Sequence, residues 1–143
     1  MKSVISIKRI DHVSFATWSV DEQVDWFERV MGLSIAGRWR NEDEGYAGAV
    51  LDLPGNQLQF ELIEPLGEDS FVAKFLRERG PGVHHITVEV HDAQAAAAAL
   101  RAEGIEPFRG LHQSDGWLQT YIHPREGRGV LWQLFEALPA GPK

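Results

Sequence analysis

The sequence predicts an α+β protein made of two tandem copies of one strand–helix–three-strand module. Stretches of period-two apolar alternation recur twice in the same order, each copy with one helical stretch after its first strand. Short motifs also repeat at a nearly constant interval, the mark of an internal duplication. Ile10-Asp11-His12-Val13 matches Val83-His84-His85-Ile86, 73 residues later. Gly32-Leu33 matches Gly104-Ile105, and Leu58–Leu62 matches Val130–Leu134, both 72 residues later. Three anchors that agree within one residue make chance a poor explanation. Module one is expected over about 8–64, a connector over 65–82, and module two over about 83–137.

In chain order, Ile10–Ala16 alternates and is rich in β-formers, so it reads as a strand. Asp21 is a capping residue for a helix to Met31, with Val24, Phe27 and Met31 at i, i+3 and i+7. Gly32 ends it. Leu33–Arg40 reads as a strand and the acidic run Asn41–Gly45 as a loop. Tyr46–Leu53 and Gln57–Glu64 flank Pro54-Gly55-Asn56, a hairpin turn by composition. In the connector, Asp69-Ser70 can start a short helix through Arg79, ended by Gly80-Pro81-Gly82. The second copy follows with a strand over Val83–Val90 and an Ala-rich helix opened by Asp92 and stopped at Gly104. A short strand over Ile105–Phe108, a loop, and strands over Trp117–Ile122 and Val130–Glu136 complete it.

Composition narrows the classes. A length of 143 residues suffices for a hydrophobic core without covalent staples. The net charge of −7 argues against a nucleic-acid partner, which needs a basic stripe. With no cysteine, disulfides, thiolate catalysis and Cys-ligated metals are excluded. No run of about 18 apolar residues is present, and Met1–Arg9 is too interrupted for a secretory leader. The expectation is a cytoplasmic protein with no membrane partner.

Strand parity sorts the chemistry by face, because successive side chains point to opposite sides. Val13 and Phe15 oppose His12 and Ser14; Phe60 and Leu62 oppose Gln57, Gln59 and Glu61. Ile86, Val88 and Val90 oppose His85, Thr87 and Glu89; Trp132 and Leu134 oppose Leu131, Gln133 and Phe135. The apolar faces must meet the helices. The other face therefore carries His12, Glu61, His85 and Gln133 at equivalent positions of the two copies. For any one of them, a polar outer face of a half-buried sheet is the ordinary explanation. Jointly, two imidazoles, a carboxylate and an amide are a ligand set for a divalent ion.

These residues resemble those of the vicinal oxygen chelate superfamily (glyoxalase I, extradiol dioxygenases, bleomycin-resistance proteins, methylmalonyl-CoA epimerases), and most of all its epimerase branch. The resemblance runs through Ile10-Asp11-His12-Val13 and the connector Glu64–Ser70 with Val72-Ala73-Lys74. It continues in Gly82-Val83-His84-His85-Ile86, His123-Pro124 and Gly127–Leu131. It implies two modules wrapped into a U-shaped mixed sheet around a metal cleft. It also implies one divalent ion per chain (Co, Mn, Ni, Zn, Fe or Mg), held by His12, Glu61, His85 and Gln133. His84 is then left on the helix-packed face as a structural residue. Gln133 stands where relatives usually have glutamate. Where some epimerases place a glutamate in the third strand, counting from Gly45 gives Gly48.

The activity implied is formation of an enolate from a small-molecule substrate, an acyl-CoA among the candidates, by an epimerase-like isomerase that is a homodimer in many relatives. Glu61, Glu89 and a metal-bound hydroxide stay open as the proton acceptor. Arg125 and Arg128, beside a glycine turn, are candidates for gripping an anionic tail. Three other readings belong to the same resemblance: a glyoxalase-type lyase, an extradiol-type dioxygenase, and a non-catalytic drug-binding protein. His91, His112 and His123 fall at strand ends or loops, where solvated or capping roles are commoner than catalysis. Trp39 and Trp117 are candidates either for the cleft lining or for the core.

Overall fold

The computed structural model describes residues 3–56 and 58–140. Gln57, expected to begin a strand, lies outside them. The element order is β1 (Ile7–Ala16), α1 (Val20–Met31), β2 (Ser34–Asn41), β3 (Tyr46–Asp52), β4 (Gln59–Pro65), α2 (Phe71–Arg79), β5 (Gly82–Val90), α3 (Ala93–Ala102), β6 (Phe108–Ser114), β7 (Trp117–Ile122) and β8 (Leu131–Ala137). A 3₁₀ turn at Pro54–Asn56 joins β3 and β4, with Gly55 at φ 78°. The α+β class and the twice-repeated β-α-β-β-β order are as expected. Among the described residues no helix is long and apolar enough to cross a membrane.

The chain divides into two compact units, one of residues 12–84 and one of residues 85 onward together with the chain up to Asp11. In the first, the strands run in the order β2-β3-β4-β1. β1 and β4 are parallel, with Ser14 opposite Glu61, and β3 is antiparallel to both neighbours. Helix α1 covers one face. Its Val20, Val24 and Phe27 pack with Leu33, Ala49, Leu51 and Leu62, each fully buried aliphatic side chain being worth about 1.5–3 kcal/mol of transfer free energy. The rings of Phe15, Phe27 and Phe60 meet at 5.0–5.8 Å. Helix α2 forms a second cluster, in which Val72 and Leu76 meet Ala16 and Ile63, with Trp39, Tyr46 and Phe75 against them.

The second unit repeats the plan in the order β5-β8-β7-β6. β5 and β8 are parallel, with Thr87 opposite Gln133. Helix α3 packs Ala93, Ala96 and Leu100 against Val88, Val90 and Leu134; its buried alanines let the helix lie close to the sheet. A further equivalence supports the duplication. Glu64 Oε2 accepts a hydrogen bond from the Val20 N–H at 3.2 Å, and Glu136 Oε1 accepts one from the Ala93 N–H at 2.9 Å. In each copy a glutamate at the end of the last strand satisfies a donor in the first turn of the helix.

Two expectations need correction. Helix α1 is capped by Ser19, whose side chain accepts from the Glu22 N–H, two residues before Asp21. Asp21 sits in the first turn and pairs instead with Arg38 at 2.9 Å. Ser70 and Asp92 cap α2 and α3 as expected, and Gly32 ends α1 at φ 69°. The short strand expected over Ile105–Phe108 begins only at Phe108 and runs to Ser114, through residues read as a loop. Ile105 instead packs against the α3 core, its N–H donating to the Leu100 carbonyl at 2.9 Å. A shift in register between Phe108 and His112, with Arg109 at φ 66° and Gly110 at φ 68°, breaks the period-two pattern that announces a strand.

Candidate functional site

In the first unit, β1 and β4 bring His12 and Glu61 together. His12 Nε2 lies 3.9 Å from Glu61 Oε2, beyond hydrogen-bond reach. Two donors that share one ion at about 2.0–2.2 Å each sit roughly 3–4 Å apart. The other oxygen, Oε1, accepts a hydrogen bond from Ser14 Oγ at 2.7 Å. Ser14 is fully buried beneath the pair. A short hydroxyl fixed on a strand therefore orients the carboxylate, as an outer partner orients a metal ligand.

The second unit repeats this arrangement with an amide. Thr87 Oγ1 donates to Gln133 Oε1 at 2.7 Å, and the Gln133 amide nitrogen donates to Gln119 Oε1. Thr87 is fully buried and Gln119 nearly so. His85 lies two residues before Thr87 on β5, as His12 lies two before Ser14 on β1. The hydroxyl, its partner and the preceding histidine thus stand at equivalent places in both copies. Imidazole nitrogen with carboxylate and amide oxygen is a donor set that fits a divalent ion.

Glu89 has other company. Its Oε1 accepts from Arg9 Nε at 2.8 Å and its Oε2 lies 3.5 Å from Lys8 Nζ. Burial works against the Arg9 charge, but hydrogen bonds and charge from Asp11 and Glu89 outweigh it and raise the guanidinium pKa. Arg125 and Arg128 are exposed on the turn between β7 and β8. His123 Nδ1 accepts there from the Arg125 N–H at 3.1 Å, and Arg128 is held at φ 62°. His84 is half-buried between Phe71 and Phe75 of α2, with ring centroids at 5.5 and 4.9 Å. Burial pushes its imidazole down to about 4, as suits a structural residue. A cleft of about 730 Å³ in the first unit is lined by Trp18, Leu66, Glu68, Asp69 and Arg77, away from His12 and Glu61.

The third strands differ between the copies. Val50 faces Glu61 across β3–β4, one step along the same face from Gly48, which faces Ile63. A Cβ at Gly48 would lie 2.6 Å from the Leu62 carbonyl oxygen and 2.8 Å from Trp39 Cε2. The indole of Trp39 fills that space and packs on Tyr46 at 4.8 Å. In the second copy the corresponding partners are Tyr121, opposite Gln133, and Gln119, opposite Phe135. Trp117 stacks on Phe135 at 3.7 Å. Both tryptophans are half-buried and pack on the same sheet face as the donors. His112 lies inside β6, stacked on Tyr121 at 5.9 Å, and not in a loop. Ser14, Thr87, Gln119 and Tyr121 are the site-face residues that sequence reasoning left without a role. Parity gave the face of Ser14 and Thr87, whereas Gln119 and Tyr121 are placed only by the register of β7 on β8.

Residues 11–121 match the Glyoxalase/Bleomycin resistance protein/Dioxygenase superfamily. The chain is 32% identical over 136 residues to an ethylmalonyl-CoA/methylmalonyl-CoA epimerase of Cereibacter sphaeroides, covering 90% of this chain and 97% of that protein. The methylmalonyl-CoA epimerase of Mycobacterium tuberculosis superposes with a TM-score of 0.81 at 31% identity, over 97% of this chain and 94% of that one. A Streptomyces coelicolor methylmalonyl-CoA epimerase variant in complex with 2-nitronate-propionyl-CoA has a TM-score of 0.77 at 31% identity, over 94% of this chain and all (100%) of that one. With a family match over most of its length and hydroxyl-braced donors repeated in both copies, the chain belongs to the glyoxalase/bleomycin resistance/dioxygenase superfamily.

Proposed function

We propose that the chain is a divalent-metal-dependent isomerase of the methylmalonyl-CoA epimerase type, with His12, Glu61, His85 and Gln133 holding one ion. The observation that carries this reading is the pair of braced donors, Ser14–Glu61 and Thr87–Gln133, each with a histidine two residues before the hydroxyl. His12 and Glu61 supply an imidazole and a carboxylate from one unit, and His85 supplies an imidazole from the other. Relatives whose names carry methylmalonyl-CoA supply the substrate class, an acyl-CoA with a second oxygen-bearing group beside its acidic C–H.

When bound, a divalent ion supplies Lewis acidity toward neighbouring substrate oxygens. The chain's own residues do the rest. Ser14 holds Glu61 Oε1, so that Oε2 is presented toward His12. Thr87 and Gln119 hold both ends of the Gln133 amide. Glu61, once released from the ion, is the carboxylate assigned to the α-proton, since Glu89 is committed to Arg9 and Lys8. Arg125 and Arg128 meet the anionic tail of the substrate.

The test is twofold. Purified protein should carry about one divalent ion per chain, lost for the most part in His12→Ala and in His85→Ala. Metal-loaded protein in D₂O should exchange the α-hydrogen of methylmalonyl-CoA. Full metal occupancy in both variants would remove the ligand assignment. Metal-loaded protein that exchanges nothing would remove the acyl-CoA reading.

A further inference from the structure

Beside Gln133 stands a phenol that the reading above leaves unused. Tyr121 is directly opposite Gln133 in the β7–β8 ladder, so the two side chains leave the sheet on one face, with Cβ atoms about 5 Å apart. Gln133 is itself held at both ends, by Thr87 and Gln119. The Tyr121 ring is flanked by two basic side chains. Arg109 Cζ lies 5.8 Å from its centroid, and the His112 ring stacks on it at 5.9 Å and 23°.

Arg109 reaches this place through backbone that a side-chain-bearing residue seldom adopts, φ 66°, followed by Gly110 at φ 68°. Both fall where the register of β6 shifts between Phe108 and His112. Bulges re-aim side chains, and a left-handed non-glycine residue persists only where its surroundings compel it. The equivalent place in the first copy, opposite Glu61, is Val50, which has no proton to give.

We propose that Tyr121 is the acid that returns a proton to the substrate, with Arg109 as the positioning residue for its ring; the proposal rests on the epimerase reading. The phenolic O–H bond breaks, and its electron pair stays on the tyrosine oxygen. The proton forms a new C–H bond at the α-carbon with the enolate's electron pair, and the carbonyl is restored. The phenolate then recovers a proton from water, and the hydroxide left behind takes from Glu61 the α-proton removed in the first step. A guanidinium over the ring attracts the phenolate, whereas the neutral amide of Gln133 is a poor acid and a poor base.

The experiment compares wild type, Tyr121→Phe and Arg109→Gln, each loaded with Co²⁺ or Mn²⁺, by deuterium incorporation into methylmalonyl-CoA in D₂O. Metal content and thermal unfolding are read alongside. Tyr121→Phe should lower kcat by about 10²-fold, the lower end for loss of a general acid, with KM, metal content and melting unchanged. Arg109→Gln should lower kcat less and leave KM unchanged. Exchange in Tyr121→Phe within twofold of an active wild type overturns the proposal and leaves the epimerase reading intact. An inactive, metal-loaded wild type overturns the epimerase reading and this proposal with it. Should Tyr121→Phe melt early or lose metal, Arg109→Gln decides, and an unchanged kcat there overturns the assignment.

Discussion

Gly48→Ala adds one methyl group to the middle of β3, where the structure has no room for it. The new carbon would sit 2.6 Å from the Leu62 carbonyl oxygen and 2.8 Å from Trp39 Cε2, against an ordinary separation of about 3.5–4.0 Å. Trp39 is pinned by Tyr46 and the α2 cluster, and the Leu62 carbonyl belongs to the neighbouring strand. Neither can swing away as the tip of a flexible side chain would. Overpacking of this kind costs about 1–3 kcal/mol. Replacing a strand glycine recovers roughly 0.5–1 kcal/mol of backbone entropy, so the net loss should be roughly 0.5–2 kcal/mol. Urea unfolding reads it directly: with a slope of about 2 kcal/mol/M the midpoint should fall by roughly 0.25–1 M. Gly37→Ala on β2 is the control, since nothing lies within 4 Å of the added carbon, and its midpoint should not fall. A Gly48→Ala midpoint at or above wild type would refute the steric reasoning. Gly48→Glu should be worse, because it adds a carboxylate to the same aromatic cluster.

Ser14→Ala removes the hydroxyl behind Glu61 without altering a ligand, and should weaken metal binding about 10–100-fold in a chelator competition; unchanged affinity would count against Glu61 as a ligand. His84 gives a pH dependence whose sign is fixed by its lowered folded-state pKa, about 4 against 6.5 unfolded. The unfolded chain takes up the proton first, so stability should be full above pH 6.5 and fall as pH drops toward 4. The loss is at most about 3 kcal/mol, from 1.36 kcal/mol per pKa unit. The urea midpoint measured at pH 7 and pH 4.5 should therefore drop less in His84→Leu than in wild type, and equal drops would refute the assignment.

The faces of the strands were legible because burial on one side writes a period of two into the chain. That is why His12 and Ser14 separate from Val13 and Phe15; the division of labour between His84 and His85 came instead from the family resemblance. The caps at Ser70 and Asp92 and the stop at Gly32 were legible because each is a local event satisfied by one residue. Strand β6 was hidden by its own bulge. Arg109 and Gly110 interrupt the alternation, and Gln113–Gly116 carries the polar residues and glycine of a loop. Cross-strand register was hidden for a different reason. Counting from Gly45 gives Gly48 as the place of the relatives' third-strand glutamate, but it does not say that Val50 is the residue opposite Glu61, which only the ladder shows. A count along one strand contains no term for where its partner begins, so the neighbours of Gln119 and Tyr121 could not be read from it.

The duplication gives each half an internal reference for the other. Ser14–Glu61 and Thr87–Gln133 are the same hydrogen bond in two copies, with a carboxylate as the braced group in one and an amide in the other. The third strands have gone the opposite way. Opposite the first donor stands Val50, and opposite the second stands Tyr121. One step along, Gly48 under Trp39 corresponds to Gln119 beside His112. The first copy keeps the charge at its donor and sets the apolar Val50 across the ladder from it. The second gives up the charge at its donor and gathers groups that carry or bind protons around it. A copy whose only task was to hold an ion would need neither a phenol nor a guanidinium over it. The strained Arg109 backbone is hard to explain by packing alone, because a glycine there would relieve it, and its guanidinium lies over the one phenol that faces Gln133.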